Sequence, residues 1–255
     1  MHPILFKIGP FTVYTYGFFI AVAFITGIFW ASREAERLGE EPEKIMDLGF
    51  YLIISAIIGA RLLFVFLNVK EYLAHPLNIF KIWEGGLVFH GGLIFGLLAG
   101  FLYVKGHHLS IWKFTDIIAP ALALGQSIGR IGCLMAGCCY GKETTCPWGI
   151  VFTDPNSLAV QNVHLHPTQI YSSVCVFSLF IFLLWLRKRK SFEGQIFWTY
   201  VALYSVARFI IDFFRGDELP AFFHIFSFTQ VLSLALFISA LYSLWIFKRK
   251  ALTRP

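Results

Sequence analysis

The chain has 255 residues, of which 57% are hydrophobic, 18% are aromatic and only 14% are charged. Soluble domains carry roughly 25% charged residues, so this composition excludes an ordinary water-soluble protein and predicts an integral membrane protein. The formal net charge is +6, but most of the positive charge lies in short runs beside apolar segments. There it sets membrane topology, and we expect no binding to nucleic acid.

Seven apolar segments are long enough to cross a bilayer, which takes about 20 residues per helix. Because they are continuous apolar runs without a two-residue alternation, they are typical of helices and not of a β-barrel. No low-complexity linker divides them, so the sequence predicts a single all-α membrane-embedded domain over residues 1–255. The predicted spans are approximately residues 12–32, 46–69, 86–105, 114–136, 168–187, 195–214 and 227–247.

Lys and Arg residues in the loops and at the ends of these spans are concentrated on one side of the predicted bundle. The positive-inside rule makes that side cytoplasmic, which places the C-terminus in the cytoplasm and the N-terminus outside. Two long segments on the outer side, residues 68–85 and 137–167, predict a small extracytoplasmic head. The cations assigned to the cytoplasmic side are Arg33, Arg37, Lys44, Lys105, Lys113, Arg187, Lys188, Arg189, Lys190, Lys248, Arg249, Lys250 and Arg254.

Three arginines lie inside the predicted spans, at Arg61, Arg130 and Arg208. An arginine at a helix centre costs about 2.5–3.5 kcal/mol, so such residues usually face a bundle interior or a wet cavity. In the sixth span, Tyr204, Arg208 and Asp212 recur every four residues, which places them on one helix face. An Arg208 held by Asp212 toward a cavity suits phosphate binding, and the alternative is an ion pair that only braces the bundle.

Glycines surround two of the polar positions. Those near Arg130 permit close approach of a ligand or of another backbone. The alternative is a small-residue packing interface, with Arg130 extending to the membrane surface. His90 precedes Gly91 and Gly92, which predicts room around an imidazole that can accept a proton near neutral pH. A purely structural histidine is the alternative.

The cysteines allow three interpretations. A disulfide joining Cys138 or Cys139 to Cys146 is our first expectation, in an oxidising outer compartment. Free packing thiols come second. A metal site that includes Cys133 and the downstream histidines comes third, because the chain has no C-x2-C pair, and we therefore expect no metal.

Several short motifs follow one another in a distinctive order, at residues 16–17, 59–61, 83–86, 89–93, 116–120, 129–132, 166–171 and 208–215. With them the sequence resembles the bacterial prolipoprotein diacylglyceryl transferase family over nearly its whole length. It departs from the family pattern where Asn is usual at Cys133 and Glu is common at Cys138. Ser172 and Asp212 also stand where the family has Glu, so the chain looks like a divergent branch.

The resemblance implies a cofactor-free enzyme of the bacterial cytoplasmic (inner) membrane. Its substrates would be phosphatidylglycerol and the lipobox cysteine in a prolipoprotein signal peptide, and its products a thioether and glycerol 1-phosphate. Arg130 and Arg208 would bind the head group and the leaving phosphate, with Asp212 orienting Arg208. His90 is the candidate base for the thiol, although nearby arginines alone would also favour ionisation. The other predicted substrate-binding residues are Tyr16, Arg61, Gly129, Cys133 and Tyr204. For Arg61 the alternative is a residue that braces the bundle, and the sequence does not choose between the two.

Three other functions fit parts of the pattern. A paralogous lipid-head-group transferase would keep the arginines but change the substrate. A membrane thiol–disulfide oxidoreductase would use the cysteine cluster, but the chain has no C-x-x-C motif. A transporter would line a pathway with its buried charges, but the sequence has no internal repeat and its polar residues cluster toward the outer side.

Overall fold

A computed structural model of the protein describes residues 1–9, 11–81, 85–216 and 226–253. Trp83 and Glu84 of the motifs, and Arg254 of the C-terminal basic run, lie outside the described residues. Within these ranges the chain forms eight α-helices. They are α1 (Thr15–Arg37), α2 (Pro42–Leu67), α3 (Val69–Ala74), α4 (Phe89–Gly106), α5 (Ile111–Ala136), α6 (Thr168–Leu186), α7 (Gln195–Asp212) and α8 (Phe228–Leu252).

Six of the described helices are long and apolar enough to cross a membrane, namely α1, α2, α4, α5, α6 and α8. The prediction of an all-α integral membrane protein is therefore confirmed. The seventh predicted span forms α7, which has 18 residues. Arg208 and Asp212 lower its average hydropathy, which explains why it stands apart from the other six.

Two short hairpins accompany the helices. The first pairs β1 (Ile4–Ile8) with β2 (Phe11–Tyr14), and the second pairs β3 (Ile150–Val151) with β4 (His164–Leu165). The first span was predicted to begin at residue 12, but α1 begins at Thr15 because the preceding residues pair as a strand. A short apolar run rich in β-branched and aromatic residues fits either structure, and a turn with Gly9 at a φ of +56° closes this hairpin.

The backbone divides into two compact units, Met1–Ala31 with Thr115–Pro255, and Ser32–Phe114. In the second unit, α2 and α4 pack at backbone contact. A Cβ atom added at Gly59 or Gly91 would collide with the carbonyl oxygen of the other residue. Close approach of this kind is typical of small residues at membrane helix interfaces. Gly91 therefore serves helix packing, a role that the sequence did not indicate.

Arg61 organises the segment between α2 and α4. Its guanidinium group is buried and stacks near the rings of Phe64 and Tyr72, at 5.7 and 5.4 Å. All five N–H donors point at backbone carbonyls, at 2.6–3.3 Å; the acceptors are Asn78, Ile79, Lys81, Gly85 and Gly86. Because these contacts use all five donors, they favour the bracing role of Arg61 over the substrate-binding one.

In the first unit, Asp116 on α5 fixes the start of α7. Its carboxylate accepts hydrogen bonds from the backbone N–H groups of Gly194 and Phe197, at 2.7 and 2.9 Å. The Lys190 ammonium group lies 2.9 Å from the same carboxylate. The side chain of Asp116 thus satisfies helix-terminal donors that would otherwise be unpaired.

The segment 137–167 connects α5 to α6 and forms the second hairpin. It is tied to the end of α7, where the N–H of Lys142 donates to the carbonyl of Phe214 at 2.8 Å. The N–H of Gly141 donates to the carbonyl of His166 at 3.0 Å. These bonds bring the end of α5, the start of α6 and the end of α7 together.

Candidate active site

A small cavity, open on one side, lies among α5, α6 and α7. Both predicted head-group arginines, Arg130 and Arg208, line it. The remaining lining residues are Gln126, Ser172, Val176, Tyr204, Ala207 and Ile211. The shared chamber agrees with the energetic argument that buried arginines turn away from lipid.

Asp212 holds Arg208 along the face predicted from the four-residue spacing. Nη1 of Arg208 lies 2.7 Å from Oδ1 of Asp212, and the Asp212 side chain is fully buried. The second oxygen accepts a hydrogen bond from the Thr229 hydroxyl in the first turn of α8. A capping box between Ser227 and Gln230 fixes that turn. The aspartate therefore has a partner on each oxygen, and this fixes the position of the arginine.

Arg130 belongs to a row of aromatic and polar groups. The Tyr204 hydroxyl lies within hydrogen-bonding reach of the Arg130 guanidinium group. The ring of Tyr204 stacks on that of Tyr200, with centroids 5.7 Å apart, and the Tyr200 hydroxyl donates to Oε1 of Gln126 at 2.8 Å. Arg130 and Arg208 are also close enough to interact electrostatically. The site therefore presents two cations in one buried chamber.

The thiols of Cys133, Cys138 and Cys139 converge beside this chamber, with their sulfur atoms within 4.8 Å of one another. All five cysteines are free thiols, so the predicted disulfide to Cys146 is wrong. The chain reverses at Gly137, with a φ of +79°, and this turn brings the three sulfurs together. The same turn groups three possible metal ligands that no sequence motif joins, so the spacing of the cysteines does not by itself exclude a metal-ligating group.

Cys138 and Cys139 lie beyond the end of α5 and differ in acidity. Hydrogen bonds from the thiols of Cys133 and Cys138 hold the pKa of Cys139 well below its usual range, and the nearby Arg130 and Arg215 lower it further. The same donation to neighbouring sulfurs raises the pKa of Cys138. Of the three thiols, Cys139 therefore ionises most readily, and Arg130 and Arg215 are its electrostatic neighbours.

Comparison with known proteins is decisive for the family. The family model described as prolipoprotein diacylglyceryl transferase matches residues 3–246. The chain belongs to this family. It is 38% identical over 217 residues to the phosphatidylglycerol–prolipoprotein diacylglyceryl transferase of Clostridium tetani, covering 85% of this chain and 86% of that protein.

Two further relatives carry the same name. The protein of Halalkalibacterium halodurans is 35% identical over 253 residues, which cover 98% of this chain and 87% of that protein. The protein of Bacillus cereus is 39% identical over 217 residues, which cover 84% and 80% respectively. The resemblance drawn from the motifs is confirmed over most of the chain.

Tyr16 and Gly129, which were also predicted for the site, are not among the described residues that line the cavity. Tyr16, 42% exposed on α1, is an electrostatic neighbour of Arg130 and of the three thiols. Gly129 faces α1, where an added Cβ would lie 3.5 Å from Cδ1 of Ile20. Gly132 packs closer still, against Phe19. Gly129 and Gly132 therefore form the interface between α5 and α1, as the packing interpretation predicted. Arg130 faces the cavity, as the ligand-binding interpretation predicted.

His90 lies in the other compact unit, in the first turn of α4. Its side chain is exposed, and its ring meets that of Phe89 edge to face at 5.8 Å. Its role as a base stays a prediction.

Sequence reasoning left Gln126 out of the candidate site and treated Ser172 only as a departure from the family pattern. Both line the cavity. Gln126 stands one helical turn before Arg130, a spacing that places the two side chains on one face. An amide within an apolar span, in register with a buried arginine, was a usable signal for the site.

Proposed function

We propose that this protein transfers the diacylglyceryl group of phosphatidylglycerol to the lipobox cysteine thiol of prolipoproteins. The transfer forms a thioether and releases glycerol 1-phosphate. Membership of the family supports the reaction class. The observation that carries the site assignment is that Arg130 and Arg208, from different helices, line one cavity.

The charges of the cavity suit an anionic phosphodiester. Two guanidinium groups and one buried carboxylate leave a net positive charge that matches the single negative charge of the head group. Arg130 and Arg208 bind the phosphate in this proposal, and Asp212 orients Arg208 through the 2.7 Å ion pair. The planar donors of arginine bind phosphate oxygens in pairs, which also sets the direction of the bond to be broken.

The same cations assist the chemical step. As the glyceryl C–O bond breaks, the phosphate changes from a diester with one negative charge to a monoester that gains a second. Fixed cations in a buried cavity stabilise this growing charge without reorganising. Tyr204, beside Arg130, adds a hydroxyl group that can contact the head group.

The incoming nucleophile is a thiol with an ordinary pKa near 8.5, and it attacks as the thiolate. In this proposal, either His90 takes the proton of the thiol, or the cations of the site lower the thiol pKa enough for it to ionise without a base. A substitution of His90 separates the two alternatives. His90→Asn abolishes transfer if the imidazole is the base. If transfer persists in this variant, the cations suffice.

We also propose an extracytoplasmic N-terminus and a cytoplasmic C-terminus. The basic runs that follow α6 and end α8 support this orientation. Arg187 lies over the ring of Trp30 at 5.6 Å, and Arg249 lies over Trp245 at 4.2 Å. Such pairs are typical of a membrane–water interface. Cysteine accessibility labelling of intact cells at each terminus tests the assignment.

The decisive test is reconstitution with phosphatidylglycerol and a lipobox peptide, followed by mass analysis. The peptide should gain the mass of one diacylglyceryl group. Arg130→Ala and Arg208→Ala should each lower the rate about 10²–10³-fold, while Arg249→Ala at the end of α8 should not. The assignment fails if both cavity variants stay within about tenfold of the parent, which corresponds to about 1.4 kcal/mol.

A further inference from the structure

We propose that Cys133, Cys138 and Cys139 bind a zinc ion whose fourth position receives the acceptor thiol. The proposal deepens the proposed function and rests on it, because the acceptor is the cysteine of the prolipoprotein. Zinc sites that act on substrates use three protein ligands and keep one position open.

The distances fit such a site. The three sulfur atoms lie within 4.8 Å of one another. With Zn–S bonds of about 2.3 Å, tetrahedral geometry places sulfur ligands about 3.8 Å apart. To bind an ion, the sulfur atoms therefore need to move by about 1 Å or less. Rotations of the cysteine side chains allow such movements.

The fold holds these side chains from several directions. Cys139 has a φ of +57°, an uncommon backbone conformation for a residue with a side chain. The buried side chains of Thr168 and Gln169 donate to the carbonyls of Cys139 and Cys138, at 2.7 and 2.8 Å. Cys133 is anchored separately, in the last turn of α5. Two hydrogen bonds to backbone carbonyls and the last turn of α5 therefore hold the three cysteines in place.

The charges around the cluster suit the complex. Three thiolates and Zn²⁺ carry a net charge of −1, and a fourth thiolate makes it −2. Arg130 and Arg215 are electrostatic neighbours of Cys139. Arg130 also precedes Cys133 by three residues on α5, so the two share a helix face. These cations offset the negative charge and place the phosphate-binding group next to the metal.

The reaction balances without an oxidant or reductant. The acceptor thiol loses its proton when its sulfur binds zinc. An electron pair of this sulfur then forms the C–S bond, and the glyceryl C–O bond breaks with its electrons on the phosphate oxygen. The proton released from the thiol is taken up by the new phosphate monoester, directly or through water. The product thioether is a weaker ligand than a thiolate, so it leaves the zinc and frees the fourth position.

Metal binding is tested on the full-length protein, purified in detergent under reducing conditions. We expect one zinc per chain by elemental analysis, lost in Cys133→Ser, Cys138→Ser and Cys139→Ser. The matched controls Cys146→Ser and Cys175→Ser should retain it. Protein loaded with cobalt(II) should show thiolate charge-transfer bands and tetrahedral visible bands. Protein without stoichiometric zinc, or with copper in its place, or with a disulfide among the three thiols, overturns the proposal.

The open position is tested with a lipobox peptide. Its addition should shift the visible bands of the cobalt protein, whereas a peptide with Ser for the cysteine should not. Removing zinc with a chelator should lower transfer about tenfold or more, and zinc should restore it. Full transfer by the zinc-free protein contradicts the metal role and leaves the proposed function standing. A shifted cobalt spectrum without any transfer supports the thiol site and contradicts the proposed function.

Discussion

The hydroxyl group of Thr229 donates a hydrogen bond of 2.5 Å to Oδ2 of Asp212. Since Oδ1 of Asp212 lies 2.7 Å from Nη1 of Arg208, the first turn of α8 is connected to the phosphate-binding candidate on α7 through one carboxylate. The position of Arg208 therefore depends on how α7 and α8 pack, and not only on the spacing within α7.

We expect Asp212→Asn to lower the rate of transfer about tenfold, equivalent to about 1.4 kcal/mol. The amide keeps the shape of the side chain but loses the charge that holds the Arg208 guanidinium group. Asp212→Glu, which keeps the charge, should retain most of the activity. The kcat and KM of each variant with phosphatidylglycerol measure the effect. Equal activities of the Asn and Glu variants would show that the charge of Asp212 is unimportant.

A substitution of Arg130 tests whether phosphate binding needs the planar guanidinium group or only a positive charge. Arg130→Lys keeps one positive charge but removes the planar set of donors, so we expect a loss of about tenfold or more in kcat/KM. Tyr204→Phe removes one hydrogen bond from the same group, worth about 0.5–1.5 kcal/mol, and should have the smaller effect. An Arg130→Lys variant as active as the parent would contradict phosphate binding through paired donors.

The Arg61 brace predicts a difference between two neighbouring glycines. Gly86 has a φ of +75°, and a Cβ there would lie 2.5 Å from Nη1 of Arg61, whereas Gly85 has a φ of +91° and a Cβ there would have no atom of the described residues within 4 Å. Both alanine substitutions carry a backbone strain of about 1–2 kcal/mol. Gly86→Ala should lower the unfolding temperature further because it also displaces Arg61. Equal unfolding temperatures for the two variants would argue against the brace.

Much of this fold could be predicted, because burial in lipid leaves a strong mark on the sequence. The sixth and seventh predicted spans, 195–214 and 227–247, correspond to α7 (Gln195–Asp212) and α8 (Phe228–Leu252). Arg130 and Arg208 could be singled out because a guanidinium group facing lipid is costly. These predictions follow from the cost of placing polar groups in lipid, and they do not require knowing which helices pack together.

The errors concern partners distant in sequence. The sequence could not choose between substrate binding and bracing for Arg61, because its five carbonyl acceptors come from a segment with no recognisable pattern. The packing role of Gly91 could not be predicted, because its partner is Gly59 on another helix. The cysteines were paired by proximity along the chain, while the turn at Gly137 selects Cys133 in place of Cys146. Periodicity identifies a face of a helix but not what packs against that face.

Asp116 offers a test that separates stability from catalysis, because its contacts are all structural. Its carboxylate accepts from the N–H groups of Gly194 and Phe197 and pairs with Lys190. Asp116→Asn leaves a single oxygen acceptor, and we expect a loss of about 1–3 kcal/mol in the free energy of unfolding. Asp154→Asn, at an exposed turn, is the matched control. Thermal unfolding in detergent should separate the two, while kcat/KM, measured well below the transition, should stay near that of the parent. A residue that only caps α7 changes the fraction of folded protein and not the rate of the folded enzyme. A variant that unfolds at the parent's temperature but loses transfer would therefore place Asp116 in the catalytic machinery.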